Sequence, residues 1–100
     1  MKFMVTWDVH PDQRVEVMTM WSSLSAEERA DVGTGVRLIG RWHNLAEYTG
    51  VAVVEADDAT ALMVYLGQWN PVMDINVAPV LDDEESAAAG KMVLAAMAGG

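Results

Sequence analysis

Three adjacent residues, Arg41, Trp42 and His43, put a permanent cation, an indole and an imidazole on one short stretch of chain. A guanidinium can hold a carbonyl or anionic oxygen, and an imidazole can move a proton near neutral pH, so the pair suits proton transfer beside a stabilised oxyanion. A carboxylate completes such a set. Asp8 and Asp74, each inside an alternating apolar segment, are the candidates. In this reading His43, Arg41 and Asp8 carry the chemistry, while Thr6, Trp42, Asp74 and Asn76 hold the ligand. The grouping rests on strand parity: Arg41 and His43 are two residues apart, as are Thr6 and Asp8, and Asp74 and Asn76, so each pair shares one face of its strand. The same polar set also reads as a structural ion-pair network between subunits, because such networks cluster titratable groups without doing chemistry.

Other chemistries find less support. His10 and His43 with Asp8, Asp74 or Glu55 are the ligand types of a two-histidine, one-carboxylate metal site, but no HxH or HxxE spacing brings them together, so neither a metal nor a cofactor is expected. There is no cysteine, and Ser22, Ser23, Ser25 and Ser86 have no histidine nearby in sequence to activate them. Gly33, Gly35 and Gly40 do not form a phosphate loop; Gly40, inside a strand pattern, reads as a bulge or a close backbone approach. Trp21 and Trp69 fall in helical segments and read as core anchors. Trp7 and Trp42 stay undecided, because a one-residue slip of register exchanges the faces they occupy.

The elements that must position these residues follow from periodicity. Residues 2–9 alternate, with Phe3, Val5, Trp7 and Val9 against Met4, Thr6, Asp8 and His10, which predicts a first strand. Pro11 and Asp12 suit a helix start, and Val17, Met20, Trp21 and Leu24 form a stripe expected to bury that helix against a sheet. Ser25 and Glu28 have the spacing of a capping box for a further short helical turn. Residues 36–58 then read as a β-hairpin, reversed within the Asn44 to Gly50 segment, that opens into a second helix. Asp57 or Asp58 caps this helix, whose stripe is Ala59, Leu62, Met63 and Leu66. A fourth strand runs from Val72 to Leu81, with Pro79 implying an edge position or the strand's irregular end. The acidic run Asp82 to Glu85 opens a last helix that continues to Ala98.

The order β-α-β-β-α-β plus a helix is that of a ferredoxin-like α+β domain over residues 1–83, with residues 84–100 as a C-terminal helix and tail packing on the domain or on a partner subunit. Two helices cover one face of the sheet. Since the strands carry apolar residues on both faces, the other face is expected to pack against a twin chain, making a homodimer and closing a dimeric α/β barrel. Composition agrees: 52% of the 100 residues are hydrophobic, with eight Met and four Trp, a surplus for one small core. A net charge of −9 argues against nucleic acid and against an anionic membrane surface. The absence of cysteine and the early Asp8, which spoils a signal peptide, lead us to expect a cytoplasmic protein.

With these residues placed, the chain resembles the dimeric α/β-barrel superfamily and, within it, a small bacterial family of unknown function. The likeness is carried by MKFMVTW at the start, GRWHNL, VVEADD, LGQW and the closing PVLDDEE. That superfamily includes cofactor-free oxygenases, isomerases, haem-processing enzymes and proteins without known activity, so the resemblance implies a fold and leaves the reaction open. Two classes of function follow. One is a small aromatic or carbonyl compound held in the barrel between sheet and helices, either bound only or turned over by a cofactor-free enzyme. The other is a structural or assembly subunit whose polar interior residues only specify pairing.

Overall fold

A computed structural model describes residues 1–99. Four strands, β1 (Lys2–Val9), β2 (Val36–Asn44), β3 (Thr49–Ala56) and β4 (Met73–Val80), form one open sheet in the order β2-β3-β1-β4, every neighbouring pair antiparallel. The helices are α1 (Arg14–Ser23), α2 (Ala26–Ala30), α3 (Ala59–Leu66) and α4 (Asp83–Gly99). The protein is thus an α+β domain with the expected element order. β4 lies at the edge, and its register puts Pro79 where the missing N–H would face away from the ladder, so no inner strand is left short of a bond.

Side-chain alternation sets the two faces. Phe3, Val5 and Val9 of β1 are buried with Ala52, Val54 and Ala56 of β3, Met73 of β4, and Leu62 and Leu66 of α3. The helix stripe differs slightly from expectation: Leu62 and Leu66 are buried and Ala61 and Tyr65 half-buried, while Ala59 and Met63 face outward. Local caps are as the sequence implies. The Asp58 side chain accepts from the Ala61 amide, and Ser25 and Glu28 make a reciprocal capping box at α2.

One irregularity redirects the site. In β2, Leu38 stands opposite Val54 but Gly40 stands opposite Val53, so β2 uses two residues where β3 advances by one. This bulge at Ile39 reverses the alternation for the rest of the strand. Arg41 then pairs with buried Ala52, and His43 with Gly50, on the helix side of the sheet. Trp42, opposite Val51, goes to the open side and is 63% exposed.

The two remaining helices are less embedded than expected. α1 has no buried residue, and Met20 of its stripe is exposed. Leu24 lies past the helix end in extended backbone. α4 starts from a rigid base: Asp82 and Glu85 exchange side-chain and backbone hydrogen bonds, and the Lys2 ammonium lies 3.2 Å from Glu85, 3.4 Å from Asp82 and 3.8 Å from Glu55. Its hydrogen bond to Glu85 holds the Lys2 pKa above the ordinary lysine value. Beyond that base the 17-residue helix projects away, with Met92, Val93, Leu94 and Met97 all more than half exposed. The radius of gyration is therefore 16.6 Å, against about 13 Å for a compact chain of this length. No helix among the described residues is long and apolar enough to cross a membrane.

Candidate functional site

Because α1 stands off the sheet, a cavity of about 550 Å³ opens between them, within the roughly 300–1,000 Å³ common for small-molecule sites. Trp7 rises from its floor with His43 beside it toward the mouth, Trp21 comes from α1, and Tyr65 and Trp69 come from α3 and the chain just after it. The rings touch in sequence. The His43 imidazole lies 5.7 Å from Trp7 edge-on and 5.2 Å from Trp21 at a tilt, and Trp21 meets Trp69 edge-on at 6.2 Å. Such offset and edge-to-face pairs are the arrangements that the ring quadrupoles favour. Gly50 makes the floor possible: it faces Trp7 across the ladder, and a Cβ there would overlap the six-membered ring of the indole.

The polar groups sit toward the mouth. Arg41 is half-buried; its guanidinium lies over the Trp21 ring at 4.8 Å and donates to the Arg29 carbonyl at 2.9 Å. Burial lowers the Arg41 pKa from its ordinary value, partly offset by Tyr65, and the nearby Arg29 lowers it further. His43 is held below its ordinary 6.5, first by burial between the rings and then by the charge of Arg41. Both influences favour the neutral imidazole, the form that can accept a proton. A shallower groove of about 440 Å³, lined by Arg29 and Ala30 of the α2 segment, runs on from Trp21, Arg41 and His43.

The expected convergence of Arg41 and His43 with the carboxylates does not occur. Thr6 pairs with Asn76 and Asp8 with Asp74 across the β1–β4 ladder, and these four side chains lie on the open face. Arg41 and His43 lie on the other face, because the bulge at Ile39 reversed their parity. Asp8 and Asp74 have partners of their own at the end of the open face: Arg14 reaches to 4.0 Å from Asp8, and His10 Nε2 lies 3.1 Å from Asp74. The two histidines are thus on opposite faces. Trp42 also leaves the Arg41 and His43 side, and its ring folds back over Gly40, where a Cβ would collide with it.

Several lining residues lie outside the set expected from the sequence. Trp21 and Trp69, expected as core anchors, are half-buried cavity walls, and Arg29 and Tyr65 carried no functional expectation. One signal was present. A glycine between Ile39 and Arg41, read as a bulge, implies that everything after it changes face.

Fold and cavity together define a small α+β domain with an aromatic-walled site on the helix side of its sheet. The chain belongs to the family described as a domain of unknown function, DUF3303, whose model matches residues 1–94. No curated protein and no solved structure matches it.

Proposed function

We propose that this protein is a homodimeric barrel subunit that binds a small, planar, largely apolar compound in the cavity between α1 and the sheet. The observation that carries the reading is the cavity itself, walled by Trp7, Trp21, Trp69 and Tyr65 and large enough for a bicyclic ring. Rings on three sides favour a flat ligand by stacking and edge contact. His43, at the mouth with its neutral form favoured, is the group placed to take a proton from such a ligand, which keeps a cofactor-free enzyme within this reading.

The dimer rests on a separate observation. The open face leaves Met4, Ile39 and Trp42 exposed with Val51 and Val53 half-covered, and α4 projects from its Lys2 anchor with a row of exposed apolar residues. A second copy laid face to face covers both at once, closing the dimeric α/β barrel that the resemblance implies. An obligate interface of this kind buries on the order of 2,000 Å² or more in total.

Titrating phenols, quinones and keto acids while following tryptophan emission tests the site. At least one planar member should change the emission, and Val17→Trp, which fills the cavity from α1, should abolish the response while the protein stays folded. A panel that leaves the emission unchanged argues for the alternative, an assembly subunit without a ligand. Light scattering after gel filtration at low micromolar concentration tests the pairing, and a folded monomer there contradicts it.

A further inference from the structure

We infer that the mouth of the cavity is an oxyanion subsite, built by Arg29 and Arg41 beside His43, and that the ligand is a planar aromatic compound carrying a carboxylate. The inference rests on the cavity reading above and specifies the charge of what enters.

Acidic and basic residues number 15 and six, so a cation here has carboxylates to choose from. Lys2, Arg14 and Arg37 each stand beside one or more. Arg29 and Arg41 do not: among the described residues no carboxylate lies within 4 Å of either guanidinium, although both are half-buried. Lys91 also lacks one, but it projects from the exposed α4 into water. Each of the two arginines is instead tethered by a backbone carbonyl, Arg29 Nη1 to Leu24 at 2.8 Å and Arg41 Nη1 to Arg29 at 2.9 Å. A guanidinium has five N–H donors, so these tethers orient each fork and leave most of its donors available.

The surroundings make the placement costly unless an anion arrives. Two like charges share one groove with Trp21 and Leu38, where the apolar walls weaken solvent screening. An oxyanion between the forks would relieve the repulsion and accept charge-assisted, bidentate hydrogen bonds. The rest of the ligand would then extend between the Trp7, Trp21 and Trp69 rings, since groove and cavity meet at Trp21, Arg41 and His43. A carboxylate fits better than a phosphate dianion, because the chain carries nine net negative charges and the groove holds two arginines to set against them.

Calorimetric titration with 2-naphthoate and its neutral isostere 2-naphthamide separates the claims. The wild-type protein should bind naphthoate at least tenfold more tightly, and added salt should narrow the gap. Arg41→Gln and, separately, Arg29→Gln should remove most of that preference, read as the ratio of naphthoate to naphthamide affinity within each variant, while Arg41→Lys retains part of it. Naphthoate, not naphthamide, should also raise the titration midpoint of His43 in NMR spectra. Equal affinity for the two probes in the wild-type protein overturns the oxyanion subsite and leaves the apolar site standing. Binding of neither overturns both. If Arg41→Gln does not fold, Arg29→Gln decides: a preference as large as the wild type's contradicts the subsite.

Discussion

The two helices that cover this sheet meet it in opposite ways. α3 brings Leu62, fully buried, and Leu66, 8% exposed, onto the small residues Ala52, Val54 and Ala56, and the layers close. α1 has an apolar stripe of similar spacing, but none of its residues is fully buried. The difference lies in what the sheet offers each of them. Under α1 it presents Trp7, Arg41 and His43, and a guanidinium and an imidazole cannot be packed dry against a hydrocarbon face without losing hydration that nothing replaces. A helix held off by such groups leaves room beneath it. The lesson is that an amphipathic stripe states which side of a helix is apolar, whereas the opposing residues decide whether that side makes a core or a wall.

Truncations on the two helices should separate them most clearly. Leu62→Ala is expected to cost about 3 kcal/mol, within the roughly 2–5 kcal/mol typical of leucine truncation in a packed core, whereas Val17→Ala on α1 should cost well under about 1 kcal/mol. Urea denaturation measures both, and similar losses would erase the contrast. Gly50→Ala comes next. The new methyl must displace the Trp7 indole, with an overpacking cost of about 1–3 kcal/mol, and the indole's escape into the cavity should weaken ligand binding as well. An alanine variant with unchanged stability and binding would show that the floor of the cavity is softer than described.

Ending the chain after Ser86, which keeps the Asp82–Glu85 base, should change stability little at concentrations where the protein is monomeric, because no residue of α4 is buried in its own chain. It should weaken dimerisation by at least tenfold in sedimentation equilibrium. A truncated chain as dimeric as the full one would limit the interface to the open sheet face. The smallest expected effect is on pH dependence. With His43 held below its ordinary 6.5, the unfolded chain takes up that proton first, so stability should decline as the pH falls from about 6.5 through the folded midpoint and then level off. Denaturation midpoints at pH 7 and 5.5 read the slope, which His43→Gln should flatten; a slope that persists in the variant assigns it to other groups.

Much of the fold was legible because it depends on local periodicity. The alternation of Phe3, Val5, Trp7 and Val9, the Ser25 and Glu28 pair, Asp58 and Pro79 each did what elementary propensities dictate. The candidate site was half legible. Arg41 and His43 were singled out for their chemistry, and they do share a face, but their partners were sought by counting strand parity through Gly40. Parity survives only in an unbroken ladder, and the extra residue at Ile39 moved both groups from the company of Asp8 and Asp74 to that of Trp7 and Trp21. Arg29 was invisible for another reason. Its role depends on where a five-residue helix comes to rest above the sheet, and no spacing within the sequence encodes that distance.

The central claim is that the space beneath α1 is an open, aromatic-walled site. The indole N–H resonances of the four tryptophans test it most directly, since the Trp7, Trp21 and Trp69 rings wall that space together, while Trp42, at its border, follows strand parity to the open side and is 63% exposed. On saturation with 2-naphthamide, the resonances of Trp7, Trp21 and Trp69 should shift together, and by more than that of Trp42. Four unmoved resonances, or a shift confined to Trp42, would contradict the account.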